Sequence, residues 1–501
     1  MNPAQKIPVY CFLALALLVS FLAYFTFDPG FHAPMIASFA GLGVLSYFVV
    51  VIFKRLAGQR FEWFGIFNLF AFGFVIVHFQ YPILSVFEEE VATNAWIWRY
   101  WDISTEAMLV GVIGFLCFLF GYVLKFGHIS PKERTKPQTP IGPVEYAKVF
   151  YTVFGMAVLS FAGFLAIVGP AYLQGAYAGT SNWGGGATYA FVAFEIFFNL
   201  ALALEIYRMR MENRHRGILG YLFGFNYLLS AFAVAYVLFN IYTGDRGPII
   251  VTGIIVLGGY DMFFRRMGAK FFIPLIVFGA LVLTFVGHYR TRDTTLSIEE
   301  RIEQAVVKGA DKKYYSYTAD LAGNVRNLNT VVAMVPEQYP YFKGMIMGGG
   351  VLQVIPLYQK ILNPTIGQWR VGITSGQFNT FVTLGEIGNY GVGTTVVADA
   401  YLDFGIFSVI VIFCGMGYFM AWLETTGPRN FGIYRTVLCI LVLSYALYWP
   451  RASVFGAIDE WVWSLGIIWV LRTKVFQKIS QWRRRRRRHG AAEPPMLHRP
   501  A

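Results

Sequence analysis

The chain has 501 residues, 56% of them hydrophobic and only 14% charged, with a formal net charge of +13 and a mean hydropathy of +0.52. A soluble domain carries about a quarter charged residues, so composition excludes a water-soluble enzyme and indicates an integral membrane protein. The positive charge sits in loops beside apolar stretches and in the run Arg483–Arg488, a pattern that suits anionic lipid headgroups and not nucleic acid.

Apolar stretches near the length of about 20 residues that a helix needs to cross a bilayer fall at 9–27, 33–53, 64–87, 107–126, 149–168, 188–206, 219–242, 249–264, 271–288, 404–423, 432–449 and 457–473. The reading is an all-α polytopic protein of about twelve transmembrane helices. The first stretch is too long, and its flank too poor a cleavage site, for a signal peptide. Cys11, Cys117, Cys414 and Cys439 all lie inside apolar spans and read as small core residues.

The gaps between spans alternate in charge. Lys54, Arg55 and Arg60 fill one gap; Lys125, Lys132, Arg134, Lys136 and Lys148 the next basic one. Arg208, Arg210, Arg214 and Arg216, then Arg265, Arg266 and Lys270, then Arg429 and Arg435 continue the series. The intervening short gaps hold only Arg99, Arg246 and Arg451. Basic loops stay in the cytoplasm, which puts both termini inside. The organisation expected is helices 1–9 over residues 1–288, a large outer loop over 289–403, helices 10–12 over 404–473 and a basic tail over 474–501.

Within the long loop, Ser297–Lys313 opens with a capping-box pattern and reads as an amphipathic helix. Met345–Ile361 is apolar but interrupted by Gly348–Gly350 and Pro356, which suits an interfacial or re-entrant segment. Phe378–Asp399 is apolar and glycine-rich, and the loop is expected to fold back over the outer mouth of the bundle. A second outer loop, Gly169–Tyr189, is uncharged and aromatic, a composition that fits either sugar stacking or an interfacial belt.

Arginines retained on the outer side against the positive-inside tendency are the first candidates for function. Arg246 stands in the tight turn Thr243–Pro248, and Arg290 and Arg292 emerge at the end of the ninth span. Guanidinium groups bind phosphate oxygens bidentately, so the three can converge on one anion; Lys343 and Arg370 are further loop cations. Asp245, Asp293, Glu386, Asp399 and Asp403 are the outer carboxylates able to take a proton. Asp399 and Asp403, four apart, share a helix face. His78 and Glu195 stand in apolar runs, where ionisable groups are functional candidates or hydrogen-bonded packing residues. No nucleotide-binding loop, hydrolase elbow or metal-ligand spacing is present in the sequence.

Arg246-Gly247, Ile355-Pro356 and the stretch Asp399-Ala400-Tyr401-Leu402-Asp403-Phe404-Gly405, in this order and around a long loop after the ninth span, resemble the O-antigen and oligosaccharide repeat-unit polymerases of the Wzy family. The likeness is carried by residues 219–424 and elsewhere by topology; Lys360 and Pro364 match the usual end of the proline segment only loosely. The resemblance implies a GT-C-like helical bundle in a bacterial inner membrane, with its active face periplasmic. It implies transfer of a growing chain from undecaprenyl pyrophosphate to the hydroxyl of a new lipid-linked repeat unit, without metal or cofactor. A chain-length regulator and a flippase are the implied partners. On this reading Arg246, Arg290, Arg292, Arg370, Lys343 and Tyr401 contact pyrophosphate or sugar, and Asp399, Asp403 and Asp245 assist the acceptor. The alternatives are an O-antigen ligase, whose family relies on a histidine in the large outer loop, and a non-enzymatic flippase or exporter of lipid-linked saccharide. Residues Tyr289–Asp403 contain no histidine, with His288 only at the border, and no internal repeat suggests a transporter.

Overall fold

Long runs of Leu, Val, Ile, Phe and Ala, uninterrupted by charge, satisfy their own backbone hydrogen bonds as helices, which is what a bilayer demands. The computed structural model describes residues 6–28, 30–56, 58, 61–127, 141–169, 184–212, 217–275, 279, 318–358, 365–366, 369–370, 373–385, 391–426 and 432–473. Seven described helices are long and apolar enough to span a membrane: α1 (Ile7–Thr26), α2 (Ala33–Leu56), α3 (Ile66–Leu84), α4 (Ser104–Gly127), α5 (Pro143–Val168), α6 (Gly184–Met211), and a late one within Ile406–Thr426. Shorter apolar helices follow α6: α7 (Tyr227–Thr243) and α8 (Gly247–Phe263). Then come α9 (Val325–Met334), α10 (Met345–Leu352), α11 (Ser375–Leu384), α12 (Val396–Phe404), the long α13 (Ile406–Thr426), α14 (Ile433–Ala446) and α15 (Ile458–Arg472).

Helices therefore stand at eleven of the twelve expected spans, but α7, α8, α14 and α15 have 17, 17, 14 and 15 residues and fall short of a full perpendicular crossing. Most of the ninth expected span, the Ser297–Lys313 segment, nearly all of the Gly169–Tyr189 loop and the basic tail lie outside the described residues. The long segment before α13 contributes helices α9–α12 and a minimal antiparallel pair, β1 (Thr365–Ile366) with β2 (Trp369–Arg370).

The bundle is organised around α4, whose apolar window is 89% buried against 17% for α5 at the periphery. Its closest partner is α13, and glycines set that approach. A Cβ on Gly121 would lie 2.1 Å from the Cys414 carbonyl oxygen, and one on Gly417 would lie 2.0 Å from that of Phe118. The two backbones meet directly, as small residues allow where helices pack in lipid. His78 sits in a π-helical turn of α3, Val75–Phe79, fully buried with its ring 4.3 Å from that of Phe74.

At the basic end the cations are matched by carboxylates. Glu424 accepts from Tyr122 Oη at 2.5 Å, from the Phe67 amide at 2.8 Å and from Lys54 Nζ at 3.4 Å. Arg266 pairs with Glu62 and, at 3.4 Å, with Asp261; Arg472 meets Glu145 at 2.9 Å. These contacts tie α2, α3, α4, α8 and α13 together at that end. The opposite end, where α7 turns into α8, is left for a different use.

Candidate functional site

The α7–α8 turn is built by local chemistry. Gly244 adopts a left-handed conformation (φ 79°) that closes α7. Asp245 Oδ1 accepts from the Gly247 amide at 3.1 Å, and Pro248 starts α8 where no amide donor is needed. The side chains of Asp245 and Arg246 then part company and line two neighbouring cavities.

Arg246 enters a cleft of about 600 Å³, where its Nη2 meets Asp320 Oδ2 at 2.5 Å. Two more arginines line the same cleft, Arg326 near the start of α9 and Arg451 in the short 3-10 turn Trp449–Arg451 between α14 and α15. The Arg326 guanidinium carbon lies 4.0 Å above the Trp96 ring, a cation–π stack, and its buried Nη1 has no hydrogen-bond partner. No carboxylate pairs with Arg451 among the described residues. Three guanidinium groups facing one carboxylate leave the cleft with net positive charge, suited to an anion with several oxygens.

The cleft wall is held by asparagines at the N-cap and within α9. Asn324 Nδ2 donates to the carbonyls of Asp320 and Leu321, Asn327 Nδ2 donates to Val392 O at 3.1 Å, and Asn329 Nδ2 to Ile97 O at 3.4 Å. Arg99, the remaining arginine of the weakly basic short loops, is used elsewhere: its Nη1 donates to Thr383 O at 3.1 Å, fastening the end of α11.

The second cavity, about 400 Å³, is lined by Glu195 and Asn199 of α6, Asp245, Tyr236 of α7 and Tyr445 and Tyr448 of the α14 end. Arg451 belongs to the walls of both cavities. Among the described residues no set of three or more His, Cys, Asp or Glu is placed to hold a metal ion.

The structure places the neighbours Asp245 and Arg246 in adjoining cavities, adding Arg326 and Arg451 to the cleft of Arg246 and Arg451 to the cavity of Asp245. It puts Asp399 and Asp403 elsewhere. Asp399 is buried and accepts from Ser375 Oγ at 2.5 Å and from the Val454 amide at 2.8 Å, bridging α12, α11 and the α14–α15 connection. Burial pushes its carboxyl up to about 6, opposed by these two hydrogen bonds and reinforced by the nearby Asp403. Asp403 accepts from the amides of Ile346 (3.1 Å) and Met347 (2.9 Å), capping α10, and burial raises its pKa against those bonds. Neither carboxylate lines either cavity. Their four-residue spacing does put both inside α12, where they anchor the helices and the connection packed around it.

Tyr401 is buried in α12 with its ring 6.0 Å from that of Tyr341. Lys343 is exposed in a left-handed conformation (φ 53°), its amide donating to Asp403 O at 3.0 Å. The backbone of Arg370 forms part of β2; Arg290, Arg292, Asp293 and Glu386 lie outside the described residues. Sequence reasoning missed Arg326 because a long loop can hold cations on either side of a membrane without penalty. The signal present was the run of asparagines around it, Asn324, Asn327 and Asn329, whose side-chain amides must find partners in a largely apolar helix.

A multi-pass helical membrane protein with an arginine-lined cleft at one end of its bundle is the class these features define. The chain belongs to the O-antigen polysaccharide polymerase Wzy family, whose model matches residues 9–481, nearly the whole length. The match extends well beyond residues 219–424, where the sequence likeness is carried by motifs. No curated protein and no solved structure matches the chain.

Proposed function

We propose that this protein joins lipid-linked oligosaccharide repeat units into a surface polysaccharide, by glycosyl transfer at the periplasmic face of a bacterial inner membrane. The twelve-helix, GT-C-like arrangement with both termini cytoplasmic is part of that reading. The growing chain on undecaprenyl pyrophosphate is the donor, and a hydroxyl of the incoming repeat unit attacks its anomeric carbon. The observation that carries the reading is the convergence of Arg246, Arg326 and Arg451 on one cleft.

A pyrophosphate leaving an anomeric carbon develops negative charge, and donors already aimed at that charge lower the barrier by several kcal/mol. Guanidinium groups fixed by stacking and packing need no reorganisation during the reaction. The Asp320 carboxylate occupies Arg246 until the substrate anion takes its place. In this scheme the arginines supply the charge that a divalent cation supplies in other phosphate-leaving reactions, so turnover proceeds in the presence of a chelator. Arg290 and Arg292, outside the described residues, are further candidates for that role. Asp399 and Asp403 act by holding α10, α11 and the Trp449–Arg451 turn in register with the cleft, and a chain-length regulator and a flippase are the expected partners.

Deletion of the gene in its host, with surface polysaccharide separated by size, tests the proposal. Collapse of a ladder to a single repeat unit on the lipid core supports polymerisation. Complete loss of surface saccharide contradicts it in favour of ligase or flippase, and long chains accumulating on undecaprenyl pyrophosphate then select the ligase.

A further inference from the structure

Beside the arginine cleft, and sharing Arg451 with it, lies the smaller cavity whose walls are of another chemical kind. Tyr445 and Tyr448 offer rings and hydroxyls, the buried Tyr236 completes the wall with its ring edge-on to Phe161, Phe194 and Phe198, and Asn199 and Glu195 offer polar groups one helical turn apart on α6. Glu195 lies eleven residues into α6, about 16 Å along the helix from Gly184. A carboxylate at that depth is costly unless it has a use. Asn199 Nδ2 is committed to Glu460 Oε1 at 2.8 Å, whereas no hydrogen bond or ion pair engages Glu195 among the described residues. The charged groups around it are Glu460 and Asp459 of α15, Asp245 of the α7–α8 turn and Arg451.

We propose that this cavity is the acceptor-sugar subsite and that Glu195 is the general base of the transfer. This rests on the polymerase reading. The Tyr445 and Tyr448 rings stack on the apolar faces of the acceptor sugar, and the Glu195 carboxylate accepts a hydrogen bond from its nucleophilic hydroxyl. In the reaction the proton passes to Glu195 as the hydroxyl oxygen forms the new bond to the donor's anomeric carbon. The bond from that carbon to the pyrophosphate oxygen breaks, and its electron pair leaves with undecaprenyl pyrophosphate against the arginines. Glu195 then releases the proton to water, closing the cycle. Arg451, in the common wall, marks the boundary between the leaving group and the nucleophile. The division of labour explains why adjacent residues, Asp245 and Arg246, face different cavities.

The experiment uses the full-length protein in proteoliposomes supplied with lipid-linked repeat units, comparing wild type with Glu195→Gln and Glu195→Asp. The expected result is a loss in kcat of about 10²–10⁴-fold for Glu195→Gln, partial recovery for Glu195→Asp, and unchanged affinity for undecaprenyl pyrophosphate. Wild-type kcat falls about tenfold per pH unit on the acid side of a single ionisation, and that limb is absent from the residual activity of Glu195→Gln. Glu195→Gln within threefold of wild type overturns the assignment, and so does a wild-type profile flat in acid, which serves if the variant does not insert. Wild type that forms no polymer at all contradicts the polymerase reading itself, a different failure.

Discussion

Arg246 and Asp320 stand 74 positions apart in the chain and meet at 2.5 Å across the mouth of the cleft. The pair is partly open to solvent, with 28% and 66% of the two side chains exposed. An ion pair of that exposure stabilises by less than about 1 kcal/mol, so a pyrophosphate with several charged oxygens displaces it readily. Asp320→Asn is expected to leave the protein folded and to tighten binding of undecaprenyl pyrophosphate about threefold to tenfold at low salt. Weaker binding in a titration would show that Asp320 positions the arginine instead of competing with the substrate.

Charge alone does not account for the choice of arginine at the three positions. Arg246→Lys keeps the charge and loses the planar fork. Turnover is expected to fall by about 10–100-fold, the size of one or two lost charge-assisted hydrogen bonds. Membrane insertion and expression stay normal. Arg326→Lys also loses the stack on Trp96, which contributes about 1 kcal/mol or more when desolvated, so affinity for the pyrophosphate falls as well. Steady-state kinetics on the two variants check this; normal turnover in Arg246→Lys would remove Arg246 from the site.

The placement of most helices was legible in the sequence because bilayer thickness acts through composition, and composition needs no coordinates. The run from Val9 to Phe27 and the helix α2, with Lys54 and Arg55 in its last turn, are of that kind. The cleft was legible only in part. Arg246 and Arg451 stood out as the lone basic residues of their short loops, but Arg326 sat in a long segment where charge has no address. Asp399 and Asp403 drew attention through spacing, and spacing cannot tell a carboxylate facing a substrate from one capping Ile346 and Met347. The amides these carboxylates accept from lie more than fifty residues away, at Ile346, Met347 and Val454, which spacing does not show.

Asp399 offers a test of that distinction. An asparagine can still accept from the Val454 amide through its carbonyl and donate to Ser375 Oγ, whereas alanine does neither. Asp399→Asn is expected to keep activity within about fivefold, and Asp399→Ala to lose about 1–3 kcal/mol of stability along with activity. The folded carboxyl titrates at about 6 against about 4 in an unfolded chain, so folding favours the protonated form. That contribution is complete below about pH 4 and is lost as pH rises through 6, by up to about 3 kcal/mol. The difference in thermal midpoint between wild type and Asp399→Asn therefore shrinks or reverses across this window, and a pH-independent difference would contradict the burial of the charge.

Packing of α4 on α13 predicts a separate phenotype. Gly417→Ala would drive a methyl carbon into the Phe118 carbonyl at 2.0 Å, contact that only backbone displacement relieves. A loss of about 1–3 kcal/mol is expected, read as a lower melting temperature in detergent. At Gly415 on the same helix a Cβ meets nothing within 4 Å, so Gly415→Ala should leave the midpoint unchanged or slightly raised. Equal effects at both positions would contradict the backbone-to-backbone contact.

The central claim is that the arginine cleft holds the departing pyrophosphate during polymerisation. The most direct measurement places purified protein in proteoliposomes with lipid-linked repeat units and a chelator, and follows polymer length and released undecaprenyl pyrophosphate together. A ladder is expected for wild type, with one undecaprenyl pyrophosphate released per bond formed, and loss of both for the Arg246→Ala, Arg451→Ala double variant at normal folding. A wild-type ladder that persists in the double variant would contradict it.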